Sequence, residues 1–135
     1  MLGTWEKPCY FFLMDDRKPL GAKGEEIAKN YLIKQGLNFL DQNFYTREGE
    51  LDLVMYDPVR SEYVLVEVKT RRSQKFGLGE EAVTDEKVSK LYQAAEKFFA
   101  RKLGLKNLDQ IRVRLDVVVV EMTETGVWCR WKQWE

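Results

Sequence analysis

The sequence contains no histidine in its 135 residues. That absence removes Ser-His-Asp and Cys-His nucleophilic machinery, histidine-ligated zinc and any imidazole serving as general base. Cysteine is nearly absent too. Cys9 and Cys129 lie at opposite ends with no CxxC spacing. Two reduced thiols are therefore expected, with a disulfide left open. Three prolines and nine glycines exclude collagen-like and low-complexity chains. No apolar run approaches the roughly 20 residues of a membrane-spanning helix. Near the N-terminus, the apolar run from Cys9 to Met14 is followed at once by Asp15 and Asp16. With neither a basic leader nor a small-residue cleavage site, it does not read as a signal peptide, and a cytoplasmic protein without membrane contact is expected.

Any chemistry must therefore come from carboxylates, lysine, arginine, hydroxyls or a bound metal. At 44% hydrophobic residues the chain has enough apolar material to bury a core. Its length suits one domain, expected at residues 21–135 behind an N-terminal extension, residues 1–20, of unknown role. The formal net charge is zero but unevenly spread. Residues 1–68 carry 8 basic and 12 acidic side chains, residues 69–135 carry 14 and 10. That balance disfavours a protein that coats DNA by charge alone, and it suits an acidic pocket beside a basic rim.

Periodicity orders the elements. Ile27, Ala28, Tyr31 and Leu32 form one face of a helix over 21–36, stopped by Gly36. Strands are expected over 37–45, over 50–56 with alternating Leu51, Leu53 and Met55, and over 62–70. In the third strand Tyr63 to Val66 is unbroken apolar sequence, which predicts burial on both faces. A loop is expected over 71–81. A long helix follows from an N-cap at Thr84 to Gly104, with Val88, Leu91, Ala95, Phe98 and Phe99 inward. A strand over 111–120 and a last hairpin strand over 127–134 complete an α-β-β-β-α-β-(β) order. The fold class is α/β: a mixed sheet flanked by helices.

The third strand carries the chemistry. Alternation puts Leu65, Glu67 and Lys69 on one face and Val64, Val66 and Val68 on the other. Glu67 and Lys69 thus enter a buried strand, where unpaired ions cost several kcal/mol each, about the scale of a domain's whole stability. A hairpin through 57–61 brings Asp52 beside Glu67, on strands about 4.8 Å apart. Two such carboxylates repel each other unless they share a divalent cation. Asp52, Glu67 and the backbone carbonyl of Val68 are hard oxygen donors suited to Mg2+, with Mn2+ as substitute. With that ion bound, water can attack at neutral pH without histidine, and Lys69 can orient it or steady a phosphate's charge. On spacing alone, a solvated Asp52 and an ordinary Glu67–Lys69 ion pair are the commoner reading, and the apolar run before Glu67 raises the catalytic one.

The blocks Gly24-Glu25-x-x-Ala28-x-x-Tyr31-Leu32, Gly49-Glu50-Leu51-Asp52-Leu53, Val66-Glu67-Val68-Lys69-x-Arg71, Glu81-Ala82-Val83 with Lys87, and Arg114-x-Asp116-Val117-Val118 occur in the order found in the YraN-like family. The chain resembles that family over about residues 21–120. The family belongs to the PD-(D/E)XK nuclease superfamily and is similar to Holliday-junction resolvases. The resemblance implies a restriction-endonuclease-like αβββαβ core. It implies Asp52, Glu67 and Lys69 as the catalytic set, with Glu25 a further acidic group near the metal. Leu51 stands where the motif has proline.

A metal-dependent endonuclease acting on nucleic acid, with branched or structured DNA favoured, follows as the expectation. A non-catalytic nucleic-acid-binding module and a purely structural charged strand are the alternatives. Arg71, Arg72, Lys75 and Lys87 are candidates for holding phosphates, against a solvated loop and helix start. Glu80 and Glu81 precede the long helix; Glu81 could approach the site, though an acidic residue at a helix start is the simpler account. Arg112, Arg114 and Asp116 suit a structural salt link, and Trp128, Trp131 and Trp134 suit packing better than base stacking. Cutting both strands of a symmetric junction would suit a homodimer.

Overall fold

The computed structural model describes residues 20–72 and 83–134. The N-terminal extension through residue 19, Cys9, Lys75, Glu80 and Glu81 lie outside the described residues. The order is α1 (Leu20–Lys34), β1 (Asn38–Tyr45), β2 (Glu50–Asp57), β3 (Glu62–Arg72), α2 (Asp85–Leu103), β4 (Val113–Thr123) and β5 (Gly126–Gln133). The strands form one sheet in the order β1-β2-β3-β4-β5. Every pairing is antiparallel except β3 with β4, which α2 links as a parallel crossover.

Alternation along the central strands sorts the core into two layers. Val64, Val66, Val118 and Val120 pack with Ile27, Ala28, Tyr31 and Leu32 of α1. Leu65, Val117 and Val119 pack with Leu91, Ala94, Ala95, Phe98 and Phe99 of α2. The continuous valine run of β4 is thus buried on both sides because a helix covers each face. Fold class and element order match the expectation: a mixed sheet flanked by helices, consistent with a restriction-endonuclease-like core.

The helix ends follow from local chemistry. Thr84 Oγ1 accepts the Lys87 amide at 3.1 Å, and Asp85 and Glu86 occupy the first turn. Gly104 closes α2 at φ 69°, where the Leu105 amide returns to the Phe99 carbonyl at 2.9 Å. The other end of the fold depends on a close approach. A Cβ on Gly24 of α1 would run into Thr70 Oγ1 and lie 2.8 Å from Thr70 Cβ, so only glycine lets the helix sit this near β3.

Three features depart most from the periodicity reading. β3 continues through Arg71 and Arg72, expected in a loop, because β4 runs on to Thr123 and supplies Glu121 and Met122 as ladder partners. β4 begins at Val113, after a single 3-10 turn at Leu108–Gln110. β1 carries a register shift between Phe39 and Asp41, a bulge that amphipathic patterning does not reveal. Among the described residues, no helix is long and apolar enough to cross a membrane.

At the end of the sheet away from residues 67–69, Arg114 joins three strands. Its guanidinium reaches Asp116 Oδ1 at 3.1 Å, Asp57 Oδ2 at 2.9 Å and Glu62 Oε1 at 2.7 Å. The Trp131 indole N–H donates to Asp116 Oδ2 at 2.9 Å. Arg112, largely exposed, adds a bond to Glu62. The expected salt link is structural, and Trp131 belongs to it. Trp134 packs in the α2-side core, and Cys129 is a buried thiol in the α1-side core.

Candidate active site

β2 and β3 pair from Asp57↔Glu62 to Leu53↔Val66, and there the pairing ends. β2 continues against β1, and β3 continues against β4. The two strands fork, and Asp52 and Glu67 are the next residues on either prong. Val68 has lost its backbone partner on the β2 side, and its N–H donates instead to Asp52 Oδ2 at 2.9 Å. An aspartate side chain thus satisfies a donor that the ladder abandons.

A cavity of about 430 Å³ opens at the fork. Asp52, Glu67 and Val68 form its floor, with Glu25 from α1 and Lys87, Lys90 and Leu91 from α2 around it. The β1–β2 turn closes one side through Glu48, Gly49 and Glu50. Thr46 Oγ1 shapes that turn, accepting the amides of Glu48 at 3.2 Å and Gly49 at 3.1 Å. Lys97 of α2 pins it through an ion pair with Glu48 Oε1 at 2.6 Å.

The electrostatics are unequal. Burial, then the charge of Glu67, pushes the Asp52 carboxyl up to about 7, against the Val68 hydrogen bond that favours its charge. Burial also raises Glu25, opposed by a side-chain hydrogen bond with Asn43, while Glu50 and Glu67 add repulsion. Glu67, only 5% exposed, has two cationic partners. Lys69 Nζ lies 3.4 Å and Lys87 Nζ 3.2 Å from the same Oε2 atom.

The pocket therefore brings together Asp52, Glu67, Val68, Glu25 and Lys87, with Lys69 joined through Glu67. It separates the basic residues that are adjacent in sequence. Arg71 shares Lys69's face but pairs with the fully buried Glu121 at 3.0 Å. Arg72 is exposed and, by alternation, projects from the other face of β3. Sequence reading did not single out Lys90, Glu48 or Asn43. The docking of α2 brings Lys90 to the cavity, the β1–β2 turn brings Glu48, and Asn43 of β1 meets Glu25 of α1; periodicity encodes none of these.

Among the described residues, no group of three acidic or cysteine side chains converges as a ready metal-holding cluster. Two carboxylates on one cavity nevertheless fit the donor chemistry of a hard cation such as Mg2+. That ion takes one or two protein carboxylates and completes its shell with water and phosphate. The raised Asp52 marks a carboxyl that burial first, and the charge of Glu67 second, leaves short of compensation.

The family follows from comparison with known proteins. Residues 24–120 match the family described as "Uncharacterised protein family UPF0102". The chain is 53% identical over 78 residues to a UPF0102 protein of Syntrophomonas wolfei, covering 58% of this chain and 66% of that protein. It is 36% identical over 124 residues to one from Pelobacter propionicus, covering 92% and 85%. A Desulforamulus reducens relative is 37% identical over 110 residues, covering 82% and 87%. With the matched segment running from the glycine that seats α1, through the fork, to the valine run of β4, the chain belongs to the UPF0102, or YraN-like, family within the broader PD-(D/E)XK-like nuclease superfamily.

Proposed function

We propose that this protein is a divalent-metal-dependent endonuclease that hydrolyses phosphodiester bonds in nucleic acid, with branched or structured DNA as the favoured substrate. The observation that carries the reading is the meeting of Asp52 and Glu67 on one cavity, with the Asp52 carboxyl raised to about 7. Asp52, Glu67 and the Val68 carbonyl would hold Mg2+, or Mn2+ in its place, and Glu25 adds a further carboxylate. When bound, such a cation supplies Lewis-acid charge beside the phosphodiester. The remaining work falls to the chain itself. Lys69, anchored on Glu67, orients the attacking water and steadies charge that grows on the phosphate. Lys87, Arg72 and Lys75 offer positive charge to the flanking phosphates. Arg71 serves the same end indirectly, since Glu121 already engages it.

The test is incubation with four-way-junction, flap and single-stranded DNA in Mg2+ and Mn2+. Cleavage of the branched substrates is expected, and it should be lost in Asp52→Ala and Lys69→Ala. Cleavage unchanged in those variants refutes the assignment. Salt-sensitive DNA binding with no cutting by the wild-type chain supports a non-catalytic binding module instead.

A further inference from the structure

The Glu67 carboxylate is nearly enclosed, yet two ammonium groups crowd one of its oxygens. Lys69 is 3.4 Å and Lys87 3.2 Å from Oε2. One carboxylate needs one counter-charge, and Lys69, two residues along the same strand, provides it. Lys87 comes from a different element, the first turn of α2, and its side chain is 47% exposed against 30% for Lys69. It is the more loosely held of the two. Its flexible stem can withdraw into water without disturbing packed atoms.

We propose that Lys87 is a built-in counter-ion for Glu67, standing in for the divalent cation and giving way to it. The inference rests on the metal-dependent reading above and adds a residue that sets metal affinity. With Lys87 in place, Glu67 carries a second counter-charge beyond that of Lys69, and a cation must displace it to bind. Glu25, Glu48, Glu50 and Asp52 line the same cavity as Glu67, yet among the described residues they form no ready three-ligand cluster. Once displaced, the ammonium stays at the rim of the same cavity, where it can meet the phosphate of a bound nucleic acid. Lys87 is thus a positioning residue. Its removal should strengthen metal binding, the opposite of what loss of a ligand or of an ordinary supporting residue would do.

Calorimetric titration of the full chain with MgCl2 and MnCl2, without nucleic acid, tests this. Lys87→Met and Lys87→Gln should bind either ion about two- to fivefold more tightly than wild type, the scale of a partly exposed ion pair. Lys87→Arg keeps the charge and should restore wild-type affinity. Without metal, Lys87→Met should melt at a lower temperature than wild type, and saturating Mn2+ should close the gap. Metal binding by wild type that is unchanged or weaker in both Lys87→Met and Lys87→Gln overturns the counter-ion role and leaves the nuclease reading standing. No metal binding by wild type or variants overturns both.

Discussion

Replacing Asp52 by asparagine separates what the site does for chemistry from what it does to stability. The carboxyl is raised from its ordinary 3.8 to about 7, by burial first and the charge of Glu67 second. A folded-state pKa above the unfolded one means that the native state binds the proton more tightly. Stability then falls as pH rises from about 4 to about 7, and levels off above. A shift of about 3 units at 1.36 kcal/mol each sets a ceiling of about 4 kcal/mol. Since Asp52 remains partly open to water, about 2 kcal/mol is the reasonable figure. The introduced carboxamide would keep an oxygen to accept the Val68 amide, now at 2.9 Å, and would carry no charge to repel Glu67. At about pH 8, without divalent cations, Asp52→Asn should therefore melt about 5–10 °C above wild type. The gain should shrink towards zero near pH 4. Thermal unfolding by circular dichroism across that range, in a chelator, reads both. A variant no more stable than wild type at about pH 8, or one whose gain persists unchanged at about pH 4, would refute the argument that ionised Asp52 strains the fold.

Gly24→Ala pits propensity against packing. Helix propensity alone predicts a gain of about 1 kcal/mol, whereas the clash with Thr70 predicts a net loss of about 1–3 kcal/mol. Urea denaturation gives the sign, and Thr70→Gly in the same chain should recover part of any loss. Arg114→Ala leaves the carboxylates of Asp116, Asp57 and Glu62 buried together, at an expected loss of about 3–5 kcal/mol by the same assay. That arginine also governs acid stability. Its hydrogen bond holds Glu62 below the usual carboxylate range; burial would raise Asp57, but Arg114 together with the Arg60 and Val59 amides lowers it. The stabilisation is full above the ordinary carboxylate values and disappears as pH falls through the lowered ones. An acid-unfolding midpoint that does not rise in Glu62→Gln would contradict this.

The elements with strong periodicity were legible in the sequence. The valine run of β4, the Thr84 cap and the Gly104 stop each follow from short-range physics, and each stands where expected. Leu51 and Leu53, expected on one face of β2, instead pack in the α2-side and the α1-side core respectively, because the alternation breaks at Asp52 where the strands fork. The facing of Asp52 and Glu67 was also legible, because a hairpin through residues 57–61 fixes register by counting. Features decided by docking were not. Whether Lys87 faces Glu67 or water depends on how α2 lies across the sheet. Arg71 and Arg72 look equivalent in sequence, yet the pleat sends them to opposite faces. Glu121 gave no signal, since a fully buried glutamate in an apolar strand is intelligible only once Arg71 is beside it.

The parting of β2 and β3 after Leu53 and Val66 also bears on how this protein can change. Zipping the hairpin by two more rungs would add backbone hydrogen bonds and release Asp52 from serving Val68, so selection for sturdiness alone would favour it. The same step would seal the gap through which a phosphate backbone could approach Glu67. Variants hardened at that seam should survive heat better and, on the nuclease reading proposed above, lose cleavage, so an attempt to stabilise this protein would do well to leave residues 50–52 and 67–69 alone.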